Sequence, residues 1–229
     1  MTDLESRKVE SRIVLFDLDG TFADTAPDLA HALNQTLHLH GESTMSLEQI
    51  RPAVSHGGIA LIKLGFGIEP DDNGFEEKRQ DLLRFYVEDI CHHTTLFPGM
   101  ELLLEQLDQH QIPWGIVTNK PEWLTNPLME QLQMTARAAC IVSGDTTANS
   151  KPHPEPILYA CEQAGGHNPS ECIYIGDAKR DIEAGNSAGT ITLIAMFGYI
   201  DEDDNPEEWG ADGAIDHPAQ ILEWLDLPV

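Results

Sequence analysis

The sequence predicts a doubly wound α/β fold: a parallel sheet with helices on both faces and a helical domain inserted after the first strand. Three observations carry this prediction. Short, β-branched-rich apolar runs recur along the chain, amphipathic stretches of about ten to fifteen residues separate them, and one long interval after the first run holds no strand.

The first run, Arg12-Ile-Val-Leu-Phe16, is apolar at successive positions, as a strand buried on both faces requires. The interval from about Asp24 to His93 follows. Leu29, Leu33 and Leu37, and later Leu82, Leu83, Tyr86 and Val87, recur there at helical spacing. Roughly seventy residues of helix exceed what one crossover needs, so residues 24–93 are expected to form a separate helical domain, with residues 1–23 and 94–229 forming the core. Gly57-Gly58 and Gly65-Phe66-Gly67 are expected to mark turns inside it. Beyond it a helix is expected from Pro98 to Leu107, then a strand at Trp114-Gly-Ile-Val-Thr118 and another at Ala139-Cys-Ile-Val142. A helix at 154–163, a strand at Cys172-Ile-Tyr-Ile175, a helix from Lys179 and a strand at Ile191-Thr-Leu-Ile194 complete the alternation. No internal repeat or low-complexity linker interrupts it.

Composition narrows the function. Over 229 residues, 41% hydrophobic and 23% charged residues match ordinary globular usage and exclude collagen, a coiled-coil rod and a largely disordered chain. The 39 acidic against 13 basic residues leave a formal charge of −26, which opposes nucleic-acid binding. No apolar run approaches the ~20 residues that cross a bilayer. The polar start, MTDLESRKVESR, has no secretory pattern, so a cytoplasmic location is expected. Cys91, Cys140, Cys161 and Cys172 form no C-x-x-C pair and are expected to be reduced thiols. From Asp181 onward there is no Lys or Arg, and residues 201–204 are expected to be a solvated acidic loop.

The chemistry sits where strands end. Phe16-Asp17-Leu18-Asp19-Gly20-Thr21 follows the first strand, and ligands of doubly wound sheets bind beyond the carboxyl ends of strands. Two carboxylates at i and i+2, with a glycine for a tight turn, can converge on one small site. Their repulsion calls for a hard divalent cation, of which Mg2+ is the natural candidate. Val117-Thr118-Asn119 ends the second strand and offers a hydroxyl and an amide to phosphate oxygens. Ser150-Lys151-Pro152 follows the third with a cation, and Gly176-Asp177, with Asp181, follows the fourth with two more carboxylates. Lys120, Lys151, Lys179 and Arg180 lie inside or beside these strings. They could build a local positive pocket, because at ~0.15 M salt remote charge is screened beyond ~8 Å.

With these four strings in order, the chain resembles the haloacid dehalogenase superfamily of phosphohydrolases over almost its whole length. The resemblance implies a Rossmann-like core and a helical cap domain. It implies that Asp17 is the nucleophile forming an aspartyl-phosphate. It also implies that Asp19 is the general acid, then the base, with a backbone carbonyl on Mg2+. Thr118 and Lys151 match phosphate-positioning residues, Asp177 matches a metal-ligating acid, and Asp181 a second-shell or water-mediated partner of the metal. Thr21 fits a phosphatase in the same way. Phe97-Pro98-Gly99, Val117-Thr118-Asn119-Lys120-Pro121 and Ser150-Lys151-Pro152-His153-Pro154 resemble the phosphoglycolate phosphatase group. Val54-Ser55-His56-Gly57-Gly58, Gly198-Tyr199-Ile200, Asn205-Pro206 and Trp209-Gly210-Ala211-Asp212 are similar to bacterial N-acetylmuramic acid 6-phosphate phosphatases.

The expected activity is therefore Mg2+-dependent hydrolysis of a small phosphorylated metabolite by a monomer or homodimer. Selectivity is expected from Ser55, His56, Gly57 and Gly58, read as a cap loop facing the substrate. A surface role for His56, a positional role for His153 and no metal site at His92-His93 are the plainer expectations. Two other classes stand beside this one. A phosphomutase of the same superfamily would return the phosphoryl group to a second hydroxyl. A non-catalytic binding protein would have no reason to keep Asp17, Asp19, Lys151 and Asp177 together.

Overall fold

The structure is a computed structural model that describes residues 13–201 and 203–227. The N-terminal string with Arg12, and Glu202 of the acidic loop, lie outside the described residues. Strand β1 (Ile13–Phe16) is fully buried and is followed by a two-residue strand, β2 (Ala23–Asp24). Helices α1 (Ala26–Leu39), α2 (Leu47–Ile50), α3 (Gly57–Phe66) and α4 (Phe75–Glu88) come next, and β3 (Thr95–Leu96) returns the chain antiparallel to β2. The core then alternates α5 (Met100–Gln109), β4 (Trp114–Val117), α6 (Glu122–Gln131), β5 (Cys140–Val142) and α7 (Glu155–Gln163). It closes with β6 (Cys172–Gly176), α8 (Lys179–Ala188), β7 (Ile191–Ala195), β8 (Gly213–Ile215) and α9 (Ile221–Trp224).

Six strands form one parallel sheet in the order β5-β4-β1-β6-β7-β8. The chain builds outward from β1 on one side and then crosses to build outward on the other. The switch point therefore lies between β1 and β6, where an open parallel sheet forms its ligand crevice. Alternation of side chains fills both faces. Val14 and Phe16 join a core with Trp114, Ile175 and Leu103, Leu104 and Leu107 of α5, while Ile13 and Leu15 join Val142, Ile157 and Tyr174 on the other face. The second face also buries Cys140, Cys161 and Cys172, and these and the half-buried Cys91 are free thiols.

The inserted segment is helical, and Leu29, Leu33 and Leu37 of α1 are buried. Leu82 and Tyr86 of α4 are buried too, but Leu83 is half-buried and Val87 exposed. An i, i+4 pair covers one helical face, and the next pair round the helix faces elsewhere. Gly57-Gly58 and Gly65-Phe66 are not turns, as expected from the sequence, but the two ends of α3. Gly57, at φ +76°, opens the helix and Gly67, at φ +66°, leaves it, both at positive φ. The sequence missed α6, β8 and the β2–β3 ribbon.

The two ends of the insertion are tied by a buried charge. Asp28 on the first turn of α1 accepts hydrogen bonds from the His93 amide at 2.9 and 3.0 Å. It also accepts from the Thr94 amide at 2.8 Å and the Thr94 hydroxyl at 2.7 Å. Asp28→Ala leaves two buried Thr94 donors and the partly buried His93 amide without their acceptor, a loss expected to cost about 2–4 kcal/mol in urea denaturation. A loss below ~0.5 kcal/mol, the scale of a surface change, would remove Asp28 from this role.

Candidate active site

Asp17 is the first residue beyond β1, and its amide donates to Ile175 O at 2.8 Å, so the nucleophile candidate sits at the switch point. Asp177 lies just beyond the neighbouring β6, and Asp181 stands on the first turn of α8. These three carboxylates are buried, with one oxygen from each within 4.8 Å of the others. Two glycines make the approach possible. Gly20 has φ +89°, and a Cβ there would overlap the Asp177 carboxylate; a Cβ on Gly176 would overlap Asp181.

One buried ammonium holds the cluster. Lys151 Nζ donates to Asp17 Oδ1 at 2.9 Å, Tyr174 Oη at 2.7 Å and the Val117 carbonyl at 2.8 Å, and pairs with Asp181 Oδ1 at 2.7 Å. Asp181 also accepts from the Tyr174 hydroxyl at 3.2 Å and from the Ala178 amide at 3.1 Å, capping α8. Asp177 accepts from Ser55 Oγ at 2.7 Å, the Tyr199 amide at 2.9 Å and Thr21 Oγ1 at 3.4 Å. Burial, then the charges of Asp17 and Asp181, push the Asp177 carboxyl up to about 7 against the pull of those donors. Burial also raises Asp181, with Lys151 opposing it.

Asp19, two residues from Asp17, points its carboxylate away from the cluster. It accepts from Lys120 Nζ at 2.8 and 3.0 Å and from Thr25 Oγ1 at 2.6 Å. Burial works to lower the Lys120 ammonium, but Asp19 and the Tyr86 ring beneath it hold it above its ordinary value. Tyr86 itself is buried in α4 beside the Lys120 ammonium, and burial pushes its hydroxyl up.

The remaining expected residues differ in what they touch. Thr118 is buried beside the cluster, and its hydroxyl accepts from the Lys120 amide at 3.1 Å. Asn119 lines the cavity, and its carboxamide donates to Lys151 O at 2.9 Å and accepts from Lys151 N at 3.0 Å, so the side chain also fixes the lysine loop. Lys179 points to solvent and pairs with Glu183, whereas Arg180 is half-buried and donates to the Ser55 carbonyl at 2.6 Å. Ser55 thus closes on the acidic cluster; His56 is exposed, and Gly57 and Gly58 open α3. All four line a cavity of about 470 Å³ between the helical insertion and the strand ends. Its lining also includes Arg79 and Trp123, which no sequence pattern singles out.

The model of the haloacid dehalogenase-like hydrolases matches residues 14–195. The chain belongs to that family. The hydrolase is 40% identical over 215 residues to an N-acetylmuramic acid 6-phosphate phosphatase of Pseudomonas putida, covering 94% of this chain and 96% of that one. It is also 40% identical over 212 residues to a phosphoglycolate phosphatase of Xanthomonas campestris, covering 93% and 95%. Among solved structures, a predicted phosphoglycolate phosphatase from Haemophilus somnus aligns with a TM-score of 0.82 at 26% identity, over 93% of this chain and 96% of that one. No helix among the described residues is long and apolar enough to cross a membrane.

The donor set of this hydrolase fits a hard divalent ion. Three mutually facing carboxylates have one buried ammonium, which pairs with Asp17 and Asp181 but not with Asp177; all their ligand atoms are oxygen, and a carboxyl pushed up to about 7, as Asp177 is, takes up a proton below neutrality unless a cation occupies its place. Mg2+ is accordingly expected to raise the melting temperature, and to raise it more at pH 8 than at pH 6, where it must displace the Asp177 proton. A ligand at 100 times its Kd adds ~2.7 kcal/mol, which differential scanning fluorimetry resolves. Asp177→Asn should abolish most of that rise; an equal rise in the variant would place the ion elsewhere.

Proposed function

We propose that the chain, a phosphatase of the haloacid dehalogenase-like hydrolases, cleaves phosphate monoesters of small metabolites through an aspartyl-phosphate on Asp17. The observation that carries this is the sorting of the two neighbouring carboxylates. Asp17 sits in the cationic grip of Lys151 among the metal-type acids, while Asp19 is withdrawn to Lys120 and Thr25. One carboxylate is thereby assigned to phosphorus and the other to protons.

Asp17 and Asp177 would hold Mg2+, together with the backbone carbonyl of Asp19, and Asp181 would support the site from behind through Lys151 and Tyr174. The ion supplies positive charge that offsets repulsion between an anionic nucleophile and an anionic ester. In the first step a carboxylate oxygen of Asp17 attacks phosphorus, and the P–O bond to the leaving group breaks. Asp19 acts as the general acid that supplies the proton to the departing oxygen. In the second step Asp19 takes a proton from water, which attacks the same phosphorus, and the Asp17 carboxylate is released with inorganic phosphate. Lys151 stabilises the charge spread over the phosphoryl oxygens in both steps, and Thr118 positions them. Asn119 keeps Lys151 in register by pairing with its backbone.

Residues 1–23 and 94–229 act as the catalytic core and 24–93 as the cap. The cap excludes water and recognises the leaving group. Phosphoglycolate and N-acetylmuramic acid 6-phosphate, named for the relatives, are both phosphate monoesters that also bear a carboxylate. Either chemistry is compatible with the strand-end machinery.

Asp17→Asn should remove phosphate release by several orders of magnitude with the circular-dichroism spectrum unchanged, because it removes the nucleophile. Lys151→Ala should lower kcat by roughly a hundredfold or more, the scale of a lost transition-state stabiliser. A change confined to KM would make Lys151 a ground-state binder and overturn its assigned role.

A further inference from the structure

The cavity is larger than a two-carbon phosphate ester needs, and its far end is built differently from its chemical end. Asp17, Asp19, Thr118 and Lys120 line one side of it. On the other side it adjoins an open groove, and the two spaces share Arg79 and Leu83 of α4 and Trp123 of α6. None of the strand-end residues lines that groove, so these three side chains mark the mouth opposite the nucleophile.

Trp123 is the unusual member. It is 52% exposed in a helix whose Leu124 and Leu128 are buried, so its indole packs in no core. It stands on the core side of the mouth, facing α4 of the cap across it. An indole face is a broad apolar plate with a polar edge, suited to the C–H face of a sugar ring. Arg79 supplies the charge. Lys120 is committed to Asp19 and Arg180 to the Ser55 carbonyl, both at the reacting end. The ion pair of Arg79 is with Glu76, at 3.2 Å on its own helix and exposed, an interaction of little strength in water. Its guanidinium can therefore exchange that partner for a ligand carboxylate, which it matches with two parallel hydrogen bonds.

We propose that Trp123 and Arg79 form a leaving-group subsite for a phosphorylated sugar acid: a ring-sized sugar lying on the indole, with a carboxylate substituent on the guanidinium. The assignment rests on the phosphatase reading above and specifies the substrate class of that same site. A two-carbon ester has no ring to lay on the indole, and the subsite is proposed to add nothing to its binding.

The test compares N-acetylmuramic acid 6-phosphate, N-acetylglucosamine 6-phosphate, which lacks the 3-O-lactyl group and with it the carboxylate, and phosphoglycolate. The wild-type enzyme should favour the first over the second in kcat/KM. Arg79→Gln should reduce that preference roughly tenfold, mainly through KM, the scale of one charge-assisted contact at a partly exposed site. Arg79→Lys should restore part of it. Trp123→Ala should lower kcat/KM for both sugar phosphates relative to phosphoglycolate, and Trp123→Phe should restore most of the loss. An unchanged preference in Arg79→Gln, or equal losses on all three esters in Trp123→Ala, would overturn the subsite. Calorimetric binding of the two sugar phosphates to Asp17→Asn separates this from the reading on which it rests. If the wild-type enzyme released phosphate from none of the esters while the binding preference persisted, the phosphatase reading would fall and the subsite would stand. If the binding preference were absent, the subsite would fall whatever the turnover.

Discussion

Three carboxylates and one ammonium, all buried at the switch point of a parallel sheet, are the constraint around which this molecule is organised. Removing a charge from water is costly unless it is paired and hydrogen-bonded, and here each partner is accounted for. Lys151 is satisfied by Asp17, Asp181, Tyr174 and a carbonyl at the end of β4. Asp177 is satisfied by two hydroxyls and an amide. Adjacent strand ends bring residues 17, 118 and 177 together, and only parallel pairing of β4, β1 and β6 places those ends on the same edge. The negative excess left over is what a divalent cation would neutralise.

The same cluster governs the cap. Ser55 reaches it from the insertion, and Arg180 grips the Ser55 carbonyl from the core. Tyr199 connects the cluster to the place where the chain enters the cap. Its amide binds Asp177, while its hydroxyl donates to Asp24 at 2.7 Å and accepts from the Ala26 amide at 2.9 Å. Arg51 completes the joint by pairing with Asp24 at 2.9 Å and covering the Tyr199 ring. Tyr199 thus joins the acids to the start of the cap, alongside the Ser55 and Arg180 contacts.

Much of this was legible in the sequence because buried parallel strands are nearly continuous apolar runs, and ligand-binding loops follow them directly. β1, β4, β5, β6 and β7 announce themselves that way. β8 does not: Gly213-Ala-Ile215 has little strand character and exists by pairing with β7 at the sheet edge. Helix α6 was hidden by its prolines, Pro121 and Pro127, although Leu124 and Leu128 carry the helical spacing. Gly57-Gly58 looked like a turn because glycine is a poor helix former, yet tertiary packing of α3 overrides that preference. The strand-end motifs located the acids and Lys151. They could not show that Asn119 pairs with the lysine backbone, that Lys120 holds Asp19, or that Trp123 and Arg79 meet across a cavity. Those relations join residues distant in sequence and carry no local pattern.

The central claim is that Asp17 forms a covalent bond to phosphorus while Asp19 does not. Borohydride reduces an acyl phosphate to an alcohol, so trapping during steady-state turnover of N-acetylmuramic acid 6-phosphate, followed by peptide mass spectrometry, reads the nucleophile directly. The account predicts homoserine at position 17 in the presence of substrate and unmodified Asp17 without it, with Asp19 unmodified in both. Homoserine at position 19, or an unmodified peptide during sustained phosphate release, would contradict it.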